Sequence, residues 1–354
     1  MSMKQAYDVR SWIGQGKFTS GPKNCITDVE GIAVGHCNVI KNNPLVSRTG
    51  VTIIIPDSKD PWHWSYPAGT YILNGCGDFN GYPWLKETGS LQGPVALTST
   101  VSLGLVRDAI YQFAIERNIE DYHYMPIVLE TDDSWLSDDS SPSIKVTDVI
   151  RAFESANINA SPQGNVGSGT GMICHEFKGG IGSASKQIII AGESFTIGGL
   201  VQANYGNRKD LRINGFPIGE KIPYEIIPSP WNKPRSKGSI LVILACDIPL
   251  LPKQCDRLAK RASLGLASLG CYGHHDSGDI ILCFSTSNRF PRQKIGKFNV
   301  FDSAMFDSVF EAVVELVHDA VWNALLNADD CLGFEGHKAV AIKHDILTAE
   351  IQNL

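Results

Sequence analysis

Gly238 and Ser239 stand where a proline-rich stretch gives way to the most apolar run of the chain, Ile240-Leu241-Val242-Ile243-Leu244-Ala245-Cys246. Cleavage between them would give Ser239 a free α-amino group beside its own hydroxyl, so that one residue supplies both nucleophile and base. An ordinary loop ahead of a core strand would look the same. Further on, Ser277-Gly278-Asp279 leads into Ile280-Ile281-Leu282-Cys283-Phe284. Residues two apart on an extended chain project to the same side, which lets the Ser277 hydroxyl and the Asp279 carboxylate work on one point. The same tripeptide also suits a turn. Asn204 closes the apolar stretch Leu200-Val201-Gln202-Ala203 and can offer its side-chain amide to a developing oxyanion, or simply form a turn. The carboxylates Glu130, Asp132, Asp133, Asp138 and Asp139 gather behind the strand-like Met125 to Leu129.

These residues need a scaffold, and the hydrophobic pattern supplies candidates for it. Val51 to Pro56, Met125 to Leu129, Lys186 to Ala191, Thr196 to Ala203, Ser239 to Cys246 and Asp279 to Thr286 are predicted strands. Leu103, Val106, Ile110, Phe113 and Ala114 recur at helical spacing, and further helices are predicted over 146–156, from Pro252 to Gly270, and over 303–326. Two strands and two helices in the last third, joined to a strand-rich first part, suggest a layered α/β sandwich. The stretch from Asn207 to Lys237 holds Pro217, Pro223, Pro228, Pro230 and Pro234, and its composition predicts an exposed linker that delivers the cleavage site.

A chain of 354 residues that is 43% hydrophobic and 19% charged can fill a large core, so disorder is excluded as a description. Length alone would allow roughly two domains. A net charge of −6 and a pI near 5.8 offer no basic face to nucleic acid. The most apolar window is too short to span a bilayer and contains Asp247 and Pro249. The N-terminus lacks the apolar stretch of a secretory signal, and nine scattered cysteines read as reduced core thiols. The expectation is therefore a cytoplasmic protein with no membrane or nucleic-acid partner. His36-Cys37 and Cys174-His175-Glu176 lack the spacing of a zinc site. Gly167-Ser168-Gly169-Thr170-Gly171 and Gly179-Gly180-Ile181-Gly182 fit neither GxGxxG nor a P-loop.

Taken in order, several segments resemble the serine aminopeptidases of the L-aminopeptidase/D-Ala-esterase/amidase type, which include the β-peptidyl aminopeptidases. The resemblance is carried by Ile26 to His36 (ITDVEGIAVGH), Arg48 to Thr52, Gly164 to Gly182 (GNVGSGTGMICHEFKGGIG), Leu200 to Gly206 (LVQANYG) and Gly238 to Gly265. It implies a four-layer αββα sandwich that looks like the N-terminal-nucleophile hydrolases but has different connectivity. It also implies one domain over 1–354, processed at Gly238-Ser239 into a large subunit, 1–238, and a small subunit, 239–354, with the pairs assembling into a homo-oligomer.

Carried across by the same resemblance, Ser239 is the nucleophile, while Ser277 and Asp279 orient and activate it. Asn204 becomes the oxyanion donor and Glu130 the carboxylate that holds the substrate ammonium; no metal or organic cofactor is implied. The substrates would be small peptides, amides or esters with a free amine. Two positions depart from the family pattern. Asp279 stands where glutamate is frequent, and Asp132 where an aromatic, often tyrosine, lines the site. An ionised aspartate cannot donate a hydrogen bond, and the cluster Glu130, Asp132, Asp133 predicts a negative pocket that favours cationic amines or a second basic group. An amino-group acetyltransferase of the ornithine type, expected to carry threonine at 239, and a non-catalytic amine-binding relative are the alternatives.

Overall fold

The computed structural model describes residues 7–119, 125–231, 238–292 and 294–352. Its main strands are β1 (Ala33–Lys41), β2 (Ser47–Ile55), β3 (Trp64–Gly75), β4 (Val95–Ser99), β5 (Ile127–Thr131), β6 (Gly180–Ile190), β7 (Glu193–Asn204), β8 (Gly238–Cys246) and β9 (Ser277–Ser285). The main helices are α1 (Leu103–Glu116), α2 (Val146–Ser155), α3 (Pro252–Ser268) and α4 (Asp307–Leu326). One sheet runs β1-β2-β4-β5 and ends on the short strand Phe79–Asn80; the other runs β6-β7-β8-β9-β3. Pairing is antiparallel except for β4 with β5 and β8 with β9, each pair joined through an intervening helix as parallel neighbours require.

Side-chain alternation along β8 sets the layers. Leu241, Ile243 and Ala245 pack between the sheets with Ile54, Val95, Leu97 and Leu129. Ile240, Val242, Leu244 and Cys246 face the other way, onto Cys255, Leu258 and Ala262 of α3 and Val313, Leu316 and Val317 of α4. On the outer face of the first sheet, Ile53, Ala96 and Val128 meet Val106, Ile110 and Phe113 of α1 and Val149 and Phe153 of α2. The order helix, sheet, sheet, helix is the predicted αββα sandwich. Both faces of each central strand are covered, which is why β8 reads as a continuous apolar run and not as an alternating one.

The stretch after Asn207 differs from the predicted linker. Its described part, 207–231, is docked: Ile213, Ile218, Ile222 and Ile227 lie in the core beside α3 and α4. Arg208 is buried, donating to the carbonyls of Ile227 and Pro228 and stacking its guanidinium at 4.5 Å from the Phe177 ring and 4.3 Å from that of Tyr224. The prolines hid isoleucines spaced four or five apart, which anchor the segment. Residues 232–237 lie outside the described residues, so Lys237 has no structural account.

Cys174-His175-Glu176 is the tip of a hairpin between Ile173–Cys174 and Phe177–Lys178, with φ of 49° at His175 and 64° at Glu176, as a tight two-residue turn requires. Burial lowers the pKa of His175 to about 4, and that of His36 also to about 4. Among the described residues no group of three His, Cys, Asp or Glu side chains could hold a metal ion, all nine cysteines are unpaired, and no helix is long and apolar enough to cross a membrane.

Candidate active site

The central strands of the second sheet bring the sequence-predicted residues together. Antiparallel pairing of β7 with β8 sets Asn204 opposite Ser239, and parallel pairing of β8 with β9 sets Gly238 opposite Ser277 and Ser239 opposite Gly278. Ser277-Gly278-Asp279 is thus the start of a strand and not a turn.

Alternation then divides the groups between two faces. Ser239 shares the inter-sheet face with Leu241 and Ile243, and it borders a cavity of about 630 Å³ together with Glu130, Asp132, Asn204, Gly77 and Gly238. Ser277 and Asp279 share the helix-side face with Ile281 and Cys283, where Ser277 borders a pocket of only about 10 Å³ with Tyr205, Cys271 and His274. Gly238 borders both spaces. A β-carbon there would come within 2.6 Å of the Asn204 carbonyl oxygen, so this thin partition must be glycine.

The Ser239 hydroxyl accepts a hydrogen bond from the Gly278 N–H at 3.1 Å. Position 278 is closed to side chains as well: a β-carbon would lie 2.4 Å from the Cys76 carbonyl oxygen and 3.1 Å from Ser239 Oγ. Asn204 is fixed at both ends of its amide. Its Oδ1 accepts from the Ile173 N–H at 2.8 Å and its Nδ2 donates to the Asp132 carbonyl at 2.8 Å, which leaves the second N–H of that amide for the cavity it borders.

Behind the partition, Ser277 Oγ donates to Asp279 Oδ1 at 2.6 Å, and both residues are buried. Burial pushes the Asp279 carboxyl up to about 6, against the opposing pull of the Ser277 hydrogen bond and of His274. Its other oxygen, Oδ2, is buried without a hydrogen-bond partner.

Glu130, within β5, is 5% exposed. Its Oε1 accepts from the Asp78 N–H at 2.8 Å and its Oε2 from the Thr100 hydroxyl, while burial raises its pKa despite both bonds. Gly77 bridges it to the nucleophile, its would-be β-carbon lying 3.3 Å from Glu130 Oε1 and 3.6 Å from Gly278 Cα. A carboxylate held by the protein and bordering a cavity can receive an ammonium group there.

The predicted carboxylate cluster does not stay together. Asp132 borders the cavity, whereas Asp133 is buried apart from it, next to Gly171 and Thr49, and burial pushes its pKa up to about 7. β5 ends at Thr131, and just beyond it Asp132 faces the cavity while Asp133 is buried. The cavity remains acidic through Asp78 and Asp276, which the sequence did not single out; Trp135 and Trp231 add aromatic wall. In the sequence Asn74-Gly75-Cys76-Gly77 reads only as a glycine-rich turn, and a backbone donor such as the Gly278 N–H carries no side-chain signature.

A hydroxyl near a strand end with a backbone donor on it, a carboxamide beside it and a buried carboxylate bordering the same cavity can do the acyl-transfer chemistry of a serine hydrolase. Comparison with known proteins agrees. The profile of peptidase family S58 matches residues 24–339. A β-peptidyl aminopeptidase, BapA, of Sphingosinicella microcystinivorans is 35% identical over a 348-residue alignment that covers 93% of this chain and 88% of that protein. Among solved structures, a β-aminopeptidase of a Burkholderia species matches with a TM-score of 0.89 at 38% identity, covering 98% of each chain. The L-aminopeptidase D-Ala-esterase/amidase of Ochrobactrum anthropi, described as a variant of the Ntn hydrolase fold, matches with a TM-score of 0.90 at 36% identity, again over 98% of each chain. The chain belongs to peptidase family S58 and is a serine aminopeptidase. That membership supports neither the acetyltransferase nor the non-catalytic alternative.

Proposed function

We propose that the chain cleaves itself between Gly238 and Ser239 and that Ser239, at the head of the 239–354 subunit, is the nucleophile that removes N-terminal residues from small peptides, amides and esters. The observation that carries this reading is the register of β7, β8 and β9, which gathers Asn204, Ser239 and Ser277-Gly278-Asp279 across three neighbouring strands.

Processing begins when Ser239 Oγ attacks the Gly238 carbonyl carbon. The Gly238–Ser239 C–N bond breaks as the ester forms, the hydroxyl proton passes to the departing nitrogen, which is released as an amine, and water then hydrolyses the ester to free the Gly238 carboxylate and restore the hydroxyl. The released amine becomes the first atom of the small subunit, next to the position where Gly238 faces Ser277. Ser277 and Asp279 therefore act on the amine of Ser239 and only through it on the hydroxyl, which lies on the other face. In the aminopeptidase cycle the amine takes the hydroxyl proton as Oγ attacks the substrate carbonyl. The free N–H of Asn204 receives the oxyanion, Glu130 holds the substrate ammonium, the leaving amine departs protonated, and water releases the acyl group.

The relatives' printed activities on β-peptides, L-amino peptides, D-Ala esters and amides are the substrate classes to assay first. We further infer assembly of the processed pairs into a homo-oligomer, and a reducing, cytoplasmic location in keeping with nine unpaired thiols, eight of them buried. Ser239→Ala tests the whole reading: it should give one uncleaved, inactive chain.

A further inference from the structure

The large cavity is a substrate site on grounds independent of its charge, since it holds the Ser239 hydroxyl and the Asn204 amide. Its walls then decide which substrates it admits. Among the described residues that line it, four side chains are carboxylates, Asp78, Glu130, Asp132 and Asp276, and none is Lys, Arg or His. Among the described residues no cationic side chain forms an ion pair with any of the four. One substrate ammonium on Glu130 leaves three further carboxylates bordering the same confined space, where charges interact more strongly than in bulk water.

Asp132 is the best placed of them. It follows Glu130 by two residues, just past the end of β5, at a Cα separation of at most about 7 Å, and it borders the same cavity, within reach of two cations joined by a three- or four-carbon side chain. Its Oδ1 accepts from the Ser134 N–H at 2.8 Å, which steadies the side chain, and the residue is exposed to the cavity. On the same loop Trp135 packs edge-on to Trp231, with centroids 5.5 Å apart at 75°, and both border the cavity. Aromatic faces attract cations, guanidinium groups above all.

We propose that this enzyme selects acyl residues bearing two cations: an N-terminal amine on Glu130, and a side-chain ammonium or guanidinium on Asp132 against the tryptophan wall. N-terminal ornithine, lysine and arginine, or their β-amino counterparts, have this chemistry. The proposal rests on the reading of Glu130 as the amine receptor and adds the second charge to it.

The test compares lysyl- and norleucyl-p-nitroanilide, equal in chain length and differing by one cation, on the processed enzyme. At low salt kcat/KM should favour the lysyl substrate by about tenfold or more, a ratio worth about 1.4 kcal/mol, and the preference should shrink in 0.5 M salt. Asp132→Asn, which keeps an acceptor for the Ser134 N–H, should bring the ratio towards one, whereas Glu130→Gln should slow both substrates together. Equal turnover of the two substrates by the parent enzyme overturns the proposal and leaves the aminopeptidase reading intact. No turnover of either overturns both. A lysyl preference that survives Asp132→Asn, or a cation preference found only when the charge is placed on the leaving amine, overturns the assignment to Asp132.

Discussion

Asp279→Asn should make this protein more stable and far less active. Asp279 is buried, its Oδ2 has no hydrogen-bond partner, and its pKa is pushed up to about 6 from an ordinary 3.8. That displacement corresponds to about 3 kcal/mol of differential cost for the charged form. The sign follows from proton binding. Between 3.8 and about 6 the folded state holds a proton that the unfolded state has lost, so stability falls as pH rises through this window, and above it the full penalty persists. Asparagine cannot ionise and keeps an oxygen to accept from Ser277. At pH 8 the variant should gain up to about 3 kcal/mol, a Tm rise of roughly 4 °C for a chain of this length, and below pH 4 the difference should vanish. Hydrolysis should slow by about 100-fold or more, because Ser277 then lacks a charged partner. Parallel Tm and kcat/KM profiles of the two proteins from pH 4 to 8 decide it. Full activity in the variant, or a Tm loss proportionate to the activity loss, would refute the claim that Asp279 is a strained functional carboxylate.

Gly278→Ala should cost about 100-fold or more in kcat, because the new methyl meets both the Cys76 carbonyl and Ser239 Oγ; a variant with parental kcat would show that the close packing of position 278 against Ser239 does not position the nucleophile. Glu130→Gln should raise KM for free-amine substrates by about tenfold or more, through loss of a charge-assisted contact, while self-cleavage proceeds. Efficient turnover of N-acylated substrates by the parent enzyme would show that Glu130 does not read the amine. Asn204→Ala should slow hydrolysis by about 100- to 1,000-fold and lower Tm as well, since the Ile173 N–H and the Asp132 carbonyl both lose their partner. A lower Tm with unchanged kcat would make Asn204 purely structural.

The layers were legible in the sequence because apolar runs such as Ile240 to Cys246 can only be strands covered on both faces, and because the periodicity of α1, α3 and α4 is strong. Boundaries moved where tertiary pairing extended an element: β6 and β7 form a long hairpin, Gly180 to Asn204, although the apolar pattern predicts only Lys186 to Ala191 and Thr196 to Ala203, and Ala191 falls in the turn. Composition misled at 207–231, where prolines signalled a linker while Arg208 and four isoleucines bury the segment. At the site, side chains with chemistry at strand ends were legible, whereas the groups that hold them were not. The Asp78 and Gly278 N–H donors and the Thr100 hydroxyl become functional only through strand register. The division of Ser239 from Ser277 and Asp279 by Gly238 is likewise a matter of which face each residue takes, and sequence spacing alone cannot fix the phase of two neighbouring strands.

The central claim is that Ser239 becomes an N-terminus before it becomes a nucleophile, and intact mass combined with N-terminal sequencing of the active protein tests it directly. Cleavage at Gly238-Ser239 divides 38.6 kDa into chains of about 26 and about 13 kDa, the smaller beginning Ser-Ile-Leu-Val, and Ser239→Ala should remain a single inactive chain. A fully active preparation consisting of one intact chain, or a small subunit that begins at any other residue, would contradict it.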